Sequence, residues 1–497
     1  MILSFRGEAA MAQVMLSPAF ETTQSATDAA PRHSESPIKR LHLSPAAEPD
    51  PAMRYRFWPA PENRIAGNPM PFVSRAVLLT TQKFGKKNAV QHYNEVFVRF
   101  SAMSIDELPI AELREFVATY ADEPLGELER AENLMSVQYD LRMQDLSARE
   151  RVQMVLPEYQ EMRVLGWMLA ARMRLAILES RWDDFAKDCR LCFRLSEVAG
   201  QSNDLLIGRL IGYAIASLGL NAIEEAITRT DCPNFYWALA SIPVNDLFEI
   251  RTSIEFESVL LSRYFMADQA SLHPSIGEAA ARDRIKQIAE QASKMSVPSE
   301  FGNYDRNTAH LLAGLYAVVL KESSRETLAS TPRWKEAANA ISTSEAVLLA
   351  TQLRVLRLRD SWVKWTLLGD ENWDRFGDNA EAAIRQRGDF TDPALMVSQM
   401  LIPAAVPARR AARRSIQSHH FLCAIEAIRM HAVFAGELPT TLNALQVVPA
   451  WNDAISREPF GYTRTSRTTA TMTRSPRWVG DEETSIQIEL TPARSGP

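Results

Sequence analysis

Glycine is scarce in this chain, at 19 of 497 residues, about half the usual ~7% share. Tight hairpins and phosphate-cradling loops both depend on glycine, so its shortage argues against a hairpin-rich β protein and favours helices. No Gly-rich phosphate loop is present, and the Gly-x-Ser-x-Gly and His-Glu-x-x-His patterns are absent. Cysteine is equally sparse: Cys189, Cys192, Cys232 and Cys423 are too few and too irregularly spaced for a disulfide framework. Charge of one sign is lacking, since 55 Lys+Arg face 61 Asp+Glu for a net −6, which argues against a generic nucleic-acid binder. No run reaches the ~20 apolar residues of a spanning helix. The best stretches, 210–223 and 394–408 (the latter interrupted by Pro403 and Pro407), read as buried helix segments. No apolar core precedes a small-residue cleavage site near the N-terminus, so no secretory signal is expected and a cytoplasmic location is the default.

What the chain does contain is material for several cores. Hydrophobic residues make up 46%, with 10 Trp, 11 Tyr and 20 Phe, enough for roughly two to three domains. Residues 1–52, rich in Ser, Thr, Ala and Pro, read as a disordered tail, with Met11 or Met53 as alternative starts. Residues 53–405 read as a multi-helix body, and 406–497 as a long helix followed by a small α/β unit. The aromatic, Pro-bearing stretch from Tyr55 to Trp58 should lie extended against a core. Leu165, Met168, Leu169, Met173, Ala176 and Ile177 form one stripe at helical spacing. Two further helices follow, the first ending near Gly200 and the second capped by Ser202-Asn-Asp204; short links make these three antiparallel neighbours. Gly208, Gly212 and Gly219 fall inside the third, where small residues permit close helix approach. A helix is expected from Leu247 to about Phe265, with turns at His273-Pro274 and Val297-Pro298. In the C-terminal part, 463–473 and the alternating Ser485-Ile-Gln-Ile-Glu-Leu490 read as strands. The fold class is therefore mainly α, an irregular multi-helix bundle or solenoid-like layer with a small C-terminal antiparallel β unit.

Two stretches carry resemblances. His420-Phe-Leu-Cys-Ala-Ile-Glu-Ala-Ile-Arg429, then Gly436-Glu-Leu-Pro-Thr-Thr-Leu-Asn-Ala-Leu445, then Arg457-Glu-Pro-Phe-Gly-Tyr462 is similar to the region after the long helix of type II secretion pseudopilins. Glu458 stands where that pattern has Asp, and no apolar helix opens the chain. The resemblance thus implies a local helix–loop–strand unit rather than a pilus subunit. The same region, with Asn234-Phe-Tyr-Trp-Ala-Leu-Ala-Ser-Ile-Pro243 and the segment 53–82, also resembles large uncharacterised helical proteins of planctomycete bacteria, a likeness that brings no known activity.

Chemistry-bearing residues are thinly spread. His419, His420 and Cys423 share a helical face at i, i+3 and i, i+4 and are the most concentrated metal-type ligands, with His431 two turns beyond. Packed polar residues are the plainer reading, and no cofactor is implied. Cys189-Arg-Leu-Cys192 matches a redox or zinc spacing but sits within a helix, where two packed thiols are expected. Asp246, Glu249, Glu255 and Glu257 read as a solvated face; Glu255 and Glu257, two apart, cannot share one site. Arg409, Arg410, Arg413 and Arg414 make a cationic stripe able to contact anions or a membrane surface. The favoured function is a non-catalytic helical scaffold binding an unknown protein partner. A hydrolase or metal-dependent enzyme with a dispersed site, and an envelope-associated protein, are the alternatives. Histidines converging with carboxylates, His310 included, would favour the enzyme.

Overall fold

The computed structural model describes residues 39–84, 99–139, 142, 157–202, 204–265, 277–294, 306–336, 338–368, 373, 376, 393–476 and 484–491. The chain is mainly helical with a small four-stranded sheet. It divides into two units, the larger drawn from residues 12–141, 156–250 and 408–497, the smaller from 1–11, 142–155 and 251–407. The tail expected before residue 39, and the turns at His273-Pro274 and Val297-Pro298, lie outside the described residues.

In the larger unit, α1 (Met70–Phe84), α2 (Ile110–Phe116) and α3 (Asp122–Ala131) precede three long helices, α4 (Pro157–Leu178), α5 (Trp182–Gln201) and α6 (Leu206–Ala226). The expected stripe on α4 is in the core: Leu165, Met168, Leu169, Met173, Ala176 and Ile177 are all buried. Arg172 of α4 clamps Asp188 of α5 at 2.6 Å, and Ser196 of α5 donates 2.7 Å to the Gly212 carbonyl of α6. A Cβ on Gly212 would sit 2.6 Å from the Ser196 carbonyl oxygen, so only glycine permits this approach. No side chain caps α6, whose N-cap is Leu205 rather than a residue of the Ser202–Asp204 stretch. α6 is long and apolar enough to cross a membrane, but 72% of its most apolar window is buried within the protein.

Arginines tie the non-helical segments onto these helices. Arg194 of α5 donates to the carbonyls of Glu132 and Leu134 and lies over the Trp58 ring. Arg174 of α4 reaches the carbonyls of Phe100 and Met103. The stretch 55–58 is extended and buried as expected, with Phe57 packed against Phe185, Phe193 and Phe235.

Two short helices follow, α7 (Tyr236–Ala240) and α8 (Val244–Leu247), before α9 (Arg251–Phe265) opens the smaller unit. The single helix expected from Leu247 is thus broken at Phe248–Ile250, and Glu249 and Glu257 do not share a helix. In the smaller unit α10 (Glu278–Lys294) and α13 (Thr343–Val363) cap one another. Glu278 accepts from the Ser344 amide and hydroxyl, and Glu345 accepts from the Gly277 amide. The Ser344 hydrogen bond, ahead of other effects, pulls the Glu278 carboxyl down to about 2. α11 (Arg306–Val319) and α12 (Lys321–Ala329) lie between them in sequence, and Leu328, Trp334, Ile341 and Leu349 form a buried cluster.

The last helix, α14 (Pro393–Ala435), runs through Pro403 and Pro407, which the sequence reading takes as breaks. Gly436, at φ +66°, ends it in the left-handed conformation glycine tolerates. The sheet corrects two expectations. Its order is β1-β4-β3-β2, from β1 (Lys39–Leu43), β2 (Gly461–Arg464), β3 (Thr469–Arg474) and β4 (Thr484–Leu490). β1 lies inside the stretch assigned to the tail, and it pairs parallel with β4, so the sheet is mixed rather than antiparallel. Leu41 and Leu43 are buried while Lys39 and Arg40 are exposed, the alternation of a half-buried strand.

Candidate functional site

Residues 408–435 of α14 carry the candidate side chains, and the burial of this stretch decides what they can do. Its inward face alternates apolar residues (Phe421, Leu422, Ile425, Ile428) with polar ones, all buried. His419 is fully buried, and its Nε2 donates 3.0 Å to the Leu239 carbonyl. Loss of hydration pushes its pKa down to about 4, against the opposing pull of that carbonyl, so the ring is neutral at pH 7. Cys423 lies 3.9 Å from the His419 ring, and its thiol is pushed well up by burial. His420 instead bonds the Asn452 carbonyl through Nδ1 at 2.8 Å, and burial lowers it too. The Trp451 ring sits edge-on to both histidines, at 5.3 and 4.9 Å. The expected face is therefore present, but the ring nitrogen of His419 nearest a partner is committed to backbone. Among the described residues, no three His, Cys, Asp or Glu side chains gather as a metal site.

One turn further on is a constellation the sequence reading passes over. Glu426 and Arg429, i and i+3 on α14, are both fully buried and joined at 2.8 Å. Arg429 also donates to the carbonyls of Ser44, Cys232 and Pro233, which ties the segment after β1 and the approach to α7 onto the long helix. Asn234 completes the junction: its amide donates to the carbonyls of Glu426 and Ala46 and its oxygen accepts from the Tyr236 amide, starting α7. Burial, the largest influence, pushes the Glu426 carboxyl up. Arg429 remains charged because the Glu426 charge outweighs its own burial. Both residues lie in the quoted motifs. The available signal was an acid–base pair at helical spacing inside an otherwise apolar run.

A second buried carboxylate organises the loop before the sheet. Asp453 accepts from the Gln417 amide and from the amides of Ile455 and Ser475. Arg474 of β3 stacks over Phe421 at 3.8 Å. These links hold the helix–loop–strand unit together.

The remaining candidates separate. Arg409 is only 3% exposed, while Arg410 is exposed and Arg413 and Arg414 are half-buried, so the four do not form one open stripe. The reason is helical phase: Arg409 falls on the same inward face as the buried Ala412. Cys189 lies 3.5 Å from the Met173 sulfur, and Cys192 donates to the Ile215 carbonyl; burial raises both thiols, Cys192 to about 12. His310 of the smaller unit pairs with Glu290. Glu255 is taken by Arg251 and Thr366, and Glu249 lies 3.4 Å from Arg209. His431 is half-buried two turns past Cys423. Comparison of the chain with protein-family models, with curated proteins and with solved structures finds no match.

Proposed function

We propose that the protein is a non-catalytic helical scaffold that works by binding protein. The observation that carries this reading is an apolar face on α11, where Leu311 (74% exposed), Leu315 (60%), Val318 (73%) and Val319 (63%) recur at helical spacing. Such a row gains free energy only when something covers it, and contiguous exposed apolar surface marks interaction sites. The titratable groups in the described core support the same reading. Arg172–Asp188 and Glu426–Arg429 face one another, and His419 faces a carbonyl, rather than converging around a space for a reactant.

The test is capture on immobilised protein. Wild type and the double variant Leu311→Arg/Leu315→Arg are matched for helicity by circular dichroism, then exposed to soluble protein from the source cells. The expected result is a stoichiometric protein, this chain or another, held by wild type and lost at least tenfold by the variant. Equal retention by both, or none by either, overturns the reading.

A further inference from the structure

We infer that the apolar face of α11 pairs with the same face of a second copy of this chain, as an antiparallel helix pair about a two-fold axis at Leu315; this rests on the protein-binding reading above.

Three observations single out that occupant. The first is symmetry. Leu311 lies four residues before Leu315, and Val318 and Val319 lie three and four after it, so rotation about Leu315 sets Leu311 of one copy against Val319 of the other. A self-complementary patch is what a two-fold interface requires. The second is charge. Residues 307–320 contain no Asp, Glu, Lys or Arg. The row therefore has no feature to select an acidic or basic partner, and two identical copies meet without like-charge repulsion. The third is access to the backbone. A Cβ built on Gly314, beside the axis, would meet nothing within 4 Å, which leaves room for a partner side chain to press against the helix.

Area sets the strength. Four side chains at these exposures present on the order of 400 Å² per copy, about half the ~800 Å² per partner of a standard interface. The dimer is therefore weak, forming in the tens of micromolar range (on the order of 10⁻⁵ M) rather than permanently.

Sedimentation of the full chain from about 1 to 200 µM tests the strength. The expected average mass climbs from 55.8 kDa toward twice that value, and Leu315→Arg holds it at the monomer throughout. Crosslinking tests the geometry. All four native cysteines are buried, so an introduced thiol is the accessible one. With a short bismaleimide, Leu315→Cys should link to itself. Leu311→Cys should link to Val319→Cys in a mixture at least fivefold better than either links to itself. A monomer at every concentration, a dimer that survives Leu315→Arg, or self-linking of Leu311→Cys as strong as the mixed pair overturns the inference. If wild type stays monomeric yet still captures a different protein through α11, the second-copy inference falls and the protein-binding reading stands.

Discussion

At the scale of single residues, the polar side chains buried on α14 act as fasteners, and their energetics give two tests. His419 has a folded pKa near 4 because burial strips its hydration, against ~6.5 when unfolded. Between those values the unfolded chain binds a proton that the folded chain refuses. Stability is therefore complete above about pH 6.5 and falls as the pH drops toward 4, by on the order of 3 kcal/mol from this residue. Asp188, raised to about 6 mainly by burial despite Arg172, works in the opposite sense over part of the window. The decisive quantity is thus the difference between wild type and His419→Gln, whose amide can still donate to the Leu239 carbonyl. Urea denaturation at pH 7.5 and 4.5 should show a smaller acid loss in the variant; equal losses would show that His419 does not carry it. For the second fastener, Arg429→Met leaves the Glu426 carboxylate buried without a cation, which costs about 3–5 kcal/mol. Glu426→Gln/Arg429→Met buries no charge, so its cost should fall well below the sum of the single variants in a double-mutant cycle. Additive costs would mean that the two charges are not coupled.

At the scale of elements, helix phase was legible where one face repeats and illegible where a distant partner decides. The α4 stripe, the α5–α6 approach through Gly212 and the helix end at Gly436 follow from spacing and from glycine itself. The break at Phe248–Ile250 does not, because apolar residues on both sides keep a helical rhythm across it. Gln417 and Asp453 bond across 36 positions, a separation no local pattern reveals. The His419/His420/Cys423 face was visible, but the carbonyls of Leu239 and Asn452 that engage the two rings were not. The glycine argument can be tested by contrast. Gly212→Ala forces a Cβ to 2.6 Å from a backbone oxygen, so α5 and α6 must separate at a cost of about 1–3 kcal/mol or more. Gly126→Ala, in α3 with nothing within 4 Å of the new Cβ, should gain about 0.5–1 kcal/mol from helix propensity. Thermal or urea midpoints moving in opposite directions would bear this out. A Gly212→Ala protein as stable as wild type would remove the close crossing.

At the scale of the whole molecule, the larger unit is closed by its first described residues. β1 pairs with β4 at the other end of the chain, and the Leu43 carbonyl accepts from the Thr491 amide. Just beyond, Ser44 and Ala46 bond Arg429 through side chain and backbone. Composition hides this role, since five residues of strand sit among Ser, Pro and Ala and their partner lies more than four hundred positions away. A chain beginning at Met53 would lose all of it. Leu41 and Leu43 are 2% and 0% exposed, so their removal forfeits about 1.5–3 kcal/mol each, before counting the acceptor lost by a buried guanidinium. Against a total stability of ~5–15 kcal/mol for a typical domain, that is a large fraction. It also leaves β4, with Ile486 and Ile488, as an open edge that invites pairing with other chains. The shortened protein should therefore unfold at a markedly lower urea concentration and aggregate on concentration. The full-length variant Leu41→Ala/Leu43→Ala, which keeps the strand backbone, should lose stability with less aggregation. If the chain from Met53 matched the full chain in both measurements, β1 would be an ornament on the sheet rather than its closing strand.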